Sequence, residues 1–134
     1  MEKRFVRLEL LPQPTLEPDE IALLTEKRQQ ILVDLALEGK TLSRLSEIVK
    51  LQPSSAFESL ELLDKKGFIK KDKNKVYSLT TKGKMLAFFL MKPNGIDEKR
   101  IQELFDKFLK EEMEIEEPDE RKEIIEQRIM DFYS

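Results

Sequence analysis

Lysine side chains are concentrated in one short stretch of this 134-residue chain. The twenty residues from Lys65 to Lys84, here called the lysine island, contain eight lysines and a single acidic residue, Asp72. The formal net charge of the whole chain is −3, so a strongly basic stretch lies within an acidic protein. An ammonium group is a compact cation with three hydrogen-bond donors, which suits phosphate oxygens. The chemistry that these residues suggest is therefore the binding of a polyanion.

A second interpretation of the lysine island requires no partner. Lysines along the edge of a β-hairpin prevent that edge from pairing with strands of other chains. The island would then be an ordinary solvated surface. Composition alone does not choose between the two interpretations, and the surrounding elements have to be considered.

Cysteine and histidine are both absent from the sequence. Their absence removes the thiolate nucleophile, the commonest general base and the usual ligands of zinc. The many carboxylates are not accompanied by a glycine-rich phosphate-binding loop. We therefore expect a protein that is not an enzyme and that holds neither a metal nor another cofactor.

The hydropathy pattern contains no candidate for a membrane span. The longest apolar run, Met85–Met91, is far shorter than the roughly 20 residues that cross a bilayer. The N-terminal residues, MEKRFVRLELLPQP, lack the apolar segment and small residues of a signal peptide. These features predict a cytoplasmic protein that does not enter membranes.

Apolar periodicity predicts three helices before the hairpin. The first begins at Asp19 and ends at Gly39, and the second has Ser43 as its N-cap. The third begins at Pro53 and covers residues 53–66, with Gly67 in the position that often follows a helix end.

After Gly67 the apolar period changes from 3.6 to 2, which is typical of strands. The segments FIKK and VYSL flank the turn sequence DKNK and predict a hairpin over residues 68–79. Thr80 or Thr81 then suits the N-cap of a fourth helix, KGKMLAFFLMK.

The remaining segments lie at the two ends of the chain. Arg4–Leu11 alternates apolar and charged residues and predicts a strand, followed by a proline-rich stretch. Amphipathic helices are predicted near Asp97–Met113 and from Pro118 onward. We therefore expect an N-terminal arm at 1–18, a central domain at 19–92 and a helical extension at 93–134.

This order of elements is typical of a winged helix-turn-helix domain, in which the hairpin is the wing. We predict an α+β fold that is mostly α. The segment LELLDKKGFIKKDKNKVYSLTTKGKMLA resembles MarR-type and ArsR-type transcription regulators. The residues that carry the resemblance are Leu63, Gly67, Phe68, Ile69, Tyr77, Leu79, Thr80, Thr81 and Gly83.

The resemblance implies a transcription regulator that binds double-stranded DNA. In such proteins the third helix enters the major groove and the wing contacts neighbouring phosphates. The corresponding residues of the helix here are Gln52, Ser54, Ser55, Phe57, Glu58, Lys65 and Lys66. Those of the wing are Lys70, Lys71, Lys73 and Lys75.

The outward positions of the third helix favour weak reading of bases. Arginine, lysine, asparagine and glutamine are the side chains that best read guanine or adenine. The helix instead offers Ser54, Ser55, Phe57, Glu58, Glu61 and Leu62. One interpretation is a DNA-binding protein whose affinity comes from the wing. The alternative is a protein-interaction module that uses Phe57 and Leu62.

Apolar residues near the C-terminus predict a further packing surface. Phe88, Phe89 and Leu90 are consecutive, so they cannot all face one domain's core. The resemblance implies a homodimer formed by helices outside the winged domain, whereas packing within one chain is the other possibility. The candidate residues are Phe88, Phe89, Ile101, Leu104, Phe108, Ile129 and Phe132.

Overall fold

Seven α-helices and a three-stranded sheet make up the part of the chain that the computed structural model describes, residues 16–91 and 97–132. The predicted strand Arg4–Leu11 lies outside these residues. In chain order the elements are α1 (Pro18–Leu23), α2 (Glu26–Leu37), β1 (Lys40–Thr41), α3 (Leu42–Val49), α4 (Pro53–Lys65), β2 (Ile69–Lys71), β3 (Val76–Leu79), α5 (Thr81–Leu90), α6 (Glu98–Glu111) and α7 (Pro118–Phe132).

The chain divides into two compact units. The winged unit contains α1 to α5 and the sheet, and the tail unit contains α6 and α7. Within the winged unit, α2, α3 and α4 precede the β2–β3 hairpin, and α5 follows it. The short helix α1 comes first in the chain. This arrangement is a winged helix-turn-helix, and the predicted α+β, mostly helical fold is confirmed.

The predicted helix from Asp19 to Gly39 is two helices, because the chain breaks between α1 and α2. The Thr25 hydroxyl caps α2 by accepting a hydrogen bond from the Arg28 backbone N–H at 3.4 Å. The guanidinium of Arg28 donates to the Leu23 carbonyl at 2.9 Å, and the Gln29 amide donates to the Leu24 carbonyl at 2.9 Å. These side chains satisfy carbonyls that a continuous helix would have used.

The N-cap of α3 is Thr41, so the prediction of Ser43 is wrong. The Thr41 hydroxyl accepts a hydrogen bond from the Arg44 N–H at 3.3 Å. Thr41 has extended backbone angles because it also belongs to β1, and an extended residue directly before a helix is the natural cap. The predicted third helix is confirmed as α4, with Pro53 in its first turn.

The three strands form an antiparallel sheet in the order β1-β3-β2. The predicted hairpin is confirmed as β2 and β3, paired with Ile69 opposite Leu79. A carboxylate oxygen of Asp72 orders the turn by accepting from the N–H groups of Asn74 at 2.8 Å and Val76 at 3.0 Å. The two-residue strand β1 was not predicted, since it is too short to show a period.

One apolar core supports the sheet and helices of the winged unit. Its buried members come from every element except α1 and β1, and they include Ile31, Leu32, Leu35, Leu45, Val49, Leu60, Leu63, Phe68, Ile69, Tyr77, Leu79, Leu86 and Ala87. The Arg28 guanidinium also donates to the buried Ser59 hydroxyl at 3.2 Å, which links α2 to α4. The outward face of α4 is therefore held by contacts on its inward face.

In the described part of the tail unit, two helices pack against each other. α6 buries Ile101, Phe105, Phe108 and Leu109, which recur with helical spacing. Arg121 of α7 is buried and donates to the carboxylate of Asp106 at 2.7 Å. Both tail helices were predicted, and both are confirmed.

The junction between the wing and α5 generates a prediction about stability. A Cβ atom added to Gly83 would lie 2.0 Å from the Phe68 carbonyl oxygen, a backbone atom. Gly83→Ala should lower the free energy of unfolding by at least about 3 kcal/mol, because the backbone must move apart. Gly67 has a positive φ of 81° but open space around it, so Gly67→Ala should cost only about 1–2 kcal/mol. Urea denaturation followed by circular dichroism would compare the two, and equal losses would contradict the packing argument.

Candidate nucleic-acid interface

The outward face of α4 is presented to solvent by the burial of its other side. Ala56, Ser59, Leu60 and Leu63 face the interior. The exposed positions of the helix and its entrance are Gln52, Pro53, Ser54, Ser55, Phe57, Glu58, Glu61, Asp64 and Lys65. Every residue of this helix predicted to contact DNA is thus exposed except Lys66, which follows the helix and is half-buried, and Leu62, predicted as a protein contact, is also half-buried.

Negative charge dominates that exposed face. Glu58, Glu61 and Asp64 recur every three residues, and Lys65 is the only cation of the helix. A carboxylate can accept a hydrogen bond from a cytosine amine but repels phosphate. Phe57 stands beside this acidic strip with 44% of its surface exposed. The face is poorly suited to a deep, phosphate-lined position in the major groove.

The wing carries the opposite charge. Lys70, Lys71, Lys73 and Lys75 are all exposed on β2 and the turn. The Lys71 ammonium lies 5.7 Å from the ring centroid of buried Tyr77, a cation–π distance. Within the described ranges 16–91 and 97–132, none of these four ammonium groups has a carboxylate partner. The wing thus presents four cations on one ordered hairpin.

Two other lysines of the island already have acidic partners on α1. Lys66 forms an ion pair with Asp19. Lys82 forms an ion pair with Glu20, donates to the Lys66 carbonyl at 2.9 Å and lies 4.5 Å from the ring centroid of Phe68. The structure therefore distinguishes the four wing cations from two lysines of the island, Lys66 and Lys82, that bind α1. No signal in the sequence joins α1 to residues so far along the chain.

These contacts shift the pKa values of three groups. The hydrogen bond from the Lys66 ammonium lowers the pKa of Asp19, and the same hydrogen bond raises the pKa of Lys66. The pKa of Glu20 is lowered chiefly by the backbone N–H of Glu17, which it accepts at 3.0 Å, and then by the ammonium of Lys82. All three groups are consequently held in their charged forms.

The residues predicted to pack or dimerise do not share one environment. In the winged unit Phe88 is buried, whereas Phe89 is 49% exposed. Phe89 lines an open apolar groove of about 530 Å³ with Leu16, Ile21, Leu24, Gln29, Leu86 and Leu90. In the tail unit Ile101 and Phe108 are buried, and Leu104 and Ile129 are half-buried. The side chain of Phe132 lies outside the described part of the chain.

Among residues 16–91 and 97–132 there is no group of three or more acidic, cysteine or histidine side chains that could hold a metal ion. Over the same ranges, every helix is too short or too polar to cross a bilayer.

The chain was compared with known proteins. No protein-family model matches it, and no curated protein does. Among solved structures, wild-type ZitR of Lactococcus lactis is similar, with 24% identity over 82% of this chain and 72% of that one and a TM-score of 0.46. ZitR in complex with DNA gives 23% identity, 82% and 73% coverage and a TM-score of 0.46. Values of this size do not establish a shared function.

The ion pairs of α1 predict a specific response to acid. Because the pKa values of Asp19 and Glu20 are lowered by folding, their contribution to stability is complete above their ordinary pKa values of 3.8 and 4.5. It is lost as the pH falls through the lowered values. When the pH is lowered from about 5 to about 3, the free energy of unfolding should therefore decrease less in Glu20→Gln than in the wild type.

The measurement is urea denaturation at a series of pH values. Glu58→Gln removes an exposed carboxylate that lies on α4 and should follow the wild-type profile. Parallel profiles for the wild type and Glu20→Gln would show that the pair with Lys82 does not stabilise the fold.

Proposed function

We propose that this protein binds double-stranded DNA through its wing and acts as a transcription regulator. The observation that carries the proposal is the group of four exposed lysines on the hairpin of a winged helix-turn-helix. In this fold the hairpin and the helix before it lie on the same side of the domain, which suits simultaneous contact with a groove and its phosphates.

A rigid support for the wing favours this role over a merely solvated hairpin. The strands that carry the lysines are held in place by side chains that belong to the buried core. These are Phe68, Ile69, Tyr77 and Leu79. Lysines on an anchored backbone bind a phosphate without the cost of first ordering the strands. Four contacts of this kind would release condensed counterions and make binding strongly dependent on salt.

We infer that α4 positions the protein more than it reads bases. Ser54 and Ser55 are exposed in the first turn, where the helix dipole and hydroxyl groups favour a phosphate. Gln52 supplies one amide at the entrance, whereas Glu58 and Glu61 repel the backbone further along. The chain should bind with modest preference for sequence, and Lys65 adds a cation at the far end of the helix.

A second function is favoured by Phe57. An aromatic ring that is 44% exposed beside the acidic strip is a suitable contact for another protein, and half-buried Leu62 lies on the same helix. In that case the winged unit is a protein-interaction module and the wing lysines bind an acidic partner.

We also propose that the protein is a homodimer. Phe89 and Ile21 are 49% and 60% exposed and line the same apolar groove, and large exposed apolar side chains are typical of an interface. The tail residues at 93–134 would contribute to dimerisation or pack within their own unit. A dimer presents two wings, which matches a pseudo-palindromic DNA site.

The dimer proposal predicts a mass in sedimentation equilibrium of twice the 15.8 kDa of one chain. Phe89→Asp should yield monomers, because a carboxylate in the apolar groove cannot be buried without a partner. Phe57→Asp, at a similarly exposed phenylalanine elsewhere, serves as the matched control and should remain dimeric. A wild-type protein that sediments as a monomer at micromolar concentration would reject the proposal.

The DNA proposal predicts salt-dependent binding to a random-sequence duplex. Fluorescence anisotropy from about 50 to 300 mM salt should give a slope of log K against log salt near −3.6, which corresponds to about four phosphate contacts. The test variant changes all four wing lysines, Lys70, Lys71, Lys73 and Lys75, to glutamate. Binding should then fall by at least about 100-fold at the lowest salt.

The matched control changes four exposed lysines of the tail unit to glutamate. These are Lys99, Lys107, Lys110 and Lys122. Its net charge equals that of the wing variant, so retained binding would assign the effect to the wing. A folded wild-type protein that fails to bind at the lowest salt would reject DNA as the partner and favour the interaction module at Phe57 and Leu62.

A further inference from the structure

Two adjacent carboxylates of α1 contact two lysines of the island in different ways. Asp19 pairs with Lys66, at the end of α4, and Glu20 pairs with Lys82, in the first turn of α5. The short helix α1 therefore reaches the junction at which α4, the wing and α5 meet. Neither carboxylate belongs to the surface that we assign to DNA.

The Glu20–Lys82 pair is built into the structure. The Glu20 side chain is only 7% exposed, and its other oxygen accepts from the Glu17 N–H as part of the cap of α1. Lys82 simultaneously contacts Glu20, the carbonyl of Lys66 and the ring of Phe68, the first residue before β2. One ammonium group thus joins α1, the end of α4 and the base of the wing.

The Asp19–Lys66 pair is open to solvent. The Asp19 side chain is 61% exposed and that of Lys66 is 33% exposed, and Asp19 is the only carboxylate that the Lys66 ammonium hydrogen-bonds among the described residues. An exposed pair contributes little to stability and exchanges readily. A phosphate that approaches the end of α4 can replace Asp19 at Lys66 without disturbing the core.

We propose that the two neighbouring carboxylates act on DNA binding in opposite directions: Glu20 positions the wing through Lys82, whereas Asp19 occupies Lys66 and withholds it from phosphate. The inference rests on the proposed binding of DNA. Glu20 is then a positioning residue, and Lys82 is a structural lysine despite its place in the island. Lys66 becomes available to a phosphate only when Asp19 releases it.

The test compares three variants that each remove one negative charge. They are Asp19→Asn, Glu20→Gln and, as the matched control, Glu26→Gln, which changes an exposed carboxylate at the start of α2. Any general effect of lost charge on DNA affinity is the same in all three. Anisotropy on a random-sequence duplex gives the affinity and its dependence on salt.

Opposite changes are expected relative to the control. Asp19→Asn should bind about threefold to tenfold more tightly, with a salt slope steeper by about 0.9, because Lys66 becomes a phosphate contact. Glu20→Gln should bind at least about threefold more weakly with an unchanged slope, because the wing is displaced and no phosphate contact is removed.

Measurements without DNA separate this inference from the proposed function. The N–H of Thr80 donates to the Phe68 carbonyl at 3.0 Å, and the N–H of Phe68 donates to Leu63 at 3.0 Å. Hydrogen exchange at both amides should accelerate in Glu20→Gln and remain unchanged in Asp19→Asn. Amine-reactive labelling of Lys66 should accelerate in Asp19→Asn.

Affinity changes of the same sign in Asp19→Asn and Glu20→Gln would overturn the inference. A changed slope in Glu20→Gln would also overturn it, because a steeper slope would mean that the released Lys82 contacts phosphate and a shallower one that the wing loses a phosphate contact. If the wild-type chain does not bind DNA, the proposed function fails. Unchanged exchange at Thr80 and Phe68 in Glu20→Gln would still reject the positioning role, and accelerated exchange would support it.

Discussion

The position of the wing depends on a close backbone contact between Gly83 and the carbonyl of Phe68. Hydrogen bonds on either side strengthen it, since the Thr80 hydroxyl donates to the Gly67 carbonyl at 2.6 Å and accepts from the Gly83 N–H at 3.2 Å. The end of α4, the wing and the start of α5 therefore form one tightly packed junction. The strands β2 and β3 have only three and four residues, so the hairpin alone would not hold a fixed orientation. The junction supplies that orientation.

Much of the fold could be predicted because its signals are local. Pro53 and Gly67 mark the limits of α4, and the change of period after Gly67 marks the hairpin. The tail helices carry apolar residues at helical spacing, most clearly in α6. The missed strand β1 and the wrong cap of α3 arose where distant contacts decide the structure. β1 is a strand only because β3 pairs with it, and that pairing also moves the cap of α3 to Thr41. The break before α2 depends on the side chains of the next helical turn.

Only part of the candidate site could likewise be predicted from the sequence. The wing lysines could be named from the sequence, because turn residues and strand alternation place them on the surface. The partners of Lys66 and Lys82 could not be named, because they lie 47 and 62 residues earlier in the chain. Their ion pairs form only when the core has brought α1 to the junction. Counting lysines in the island therefore overstates the positive charge that faces a partner.

The acidic strip on α4 and the basic wing give the winged unit an internal charge separation. In the field of a polyanion such a body experiences a torque, which brings the wing, rather than the acidic strip, closest to the polyanion before contact is made. This reorientation acts within a few Debye lengths and affects the rate of encounter more than the lifetime of the complex. For a partner of high linear charge density, such as duplex DNA, the wing would be the leading edge of association.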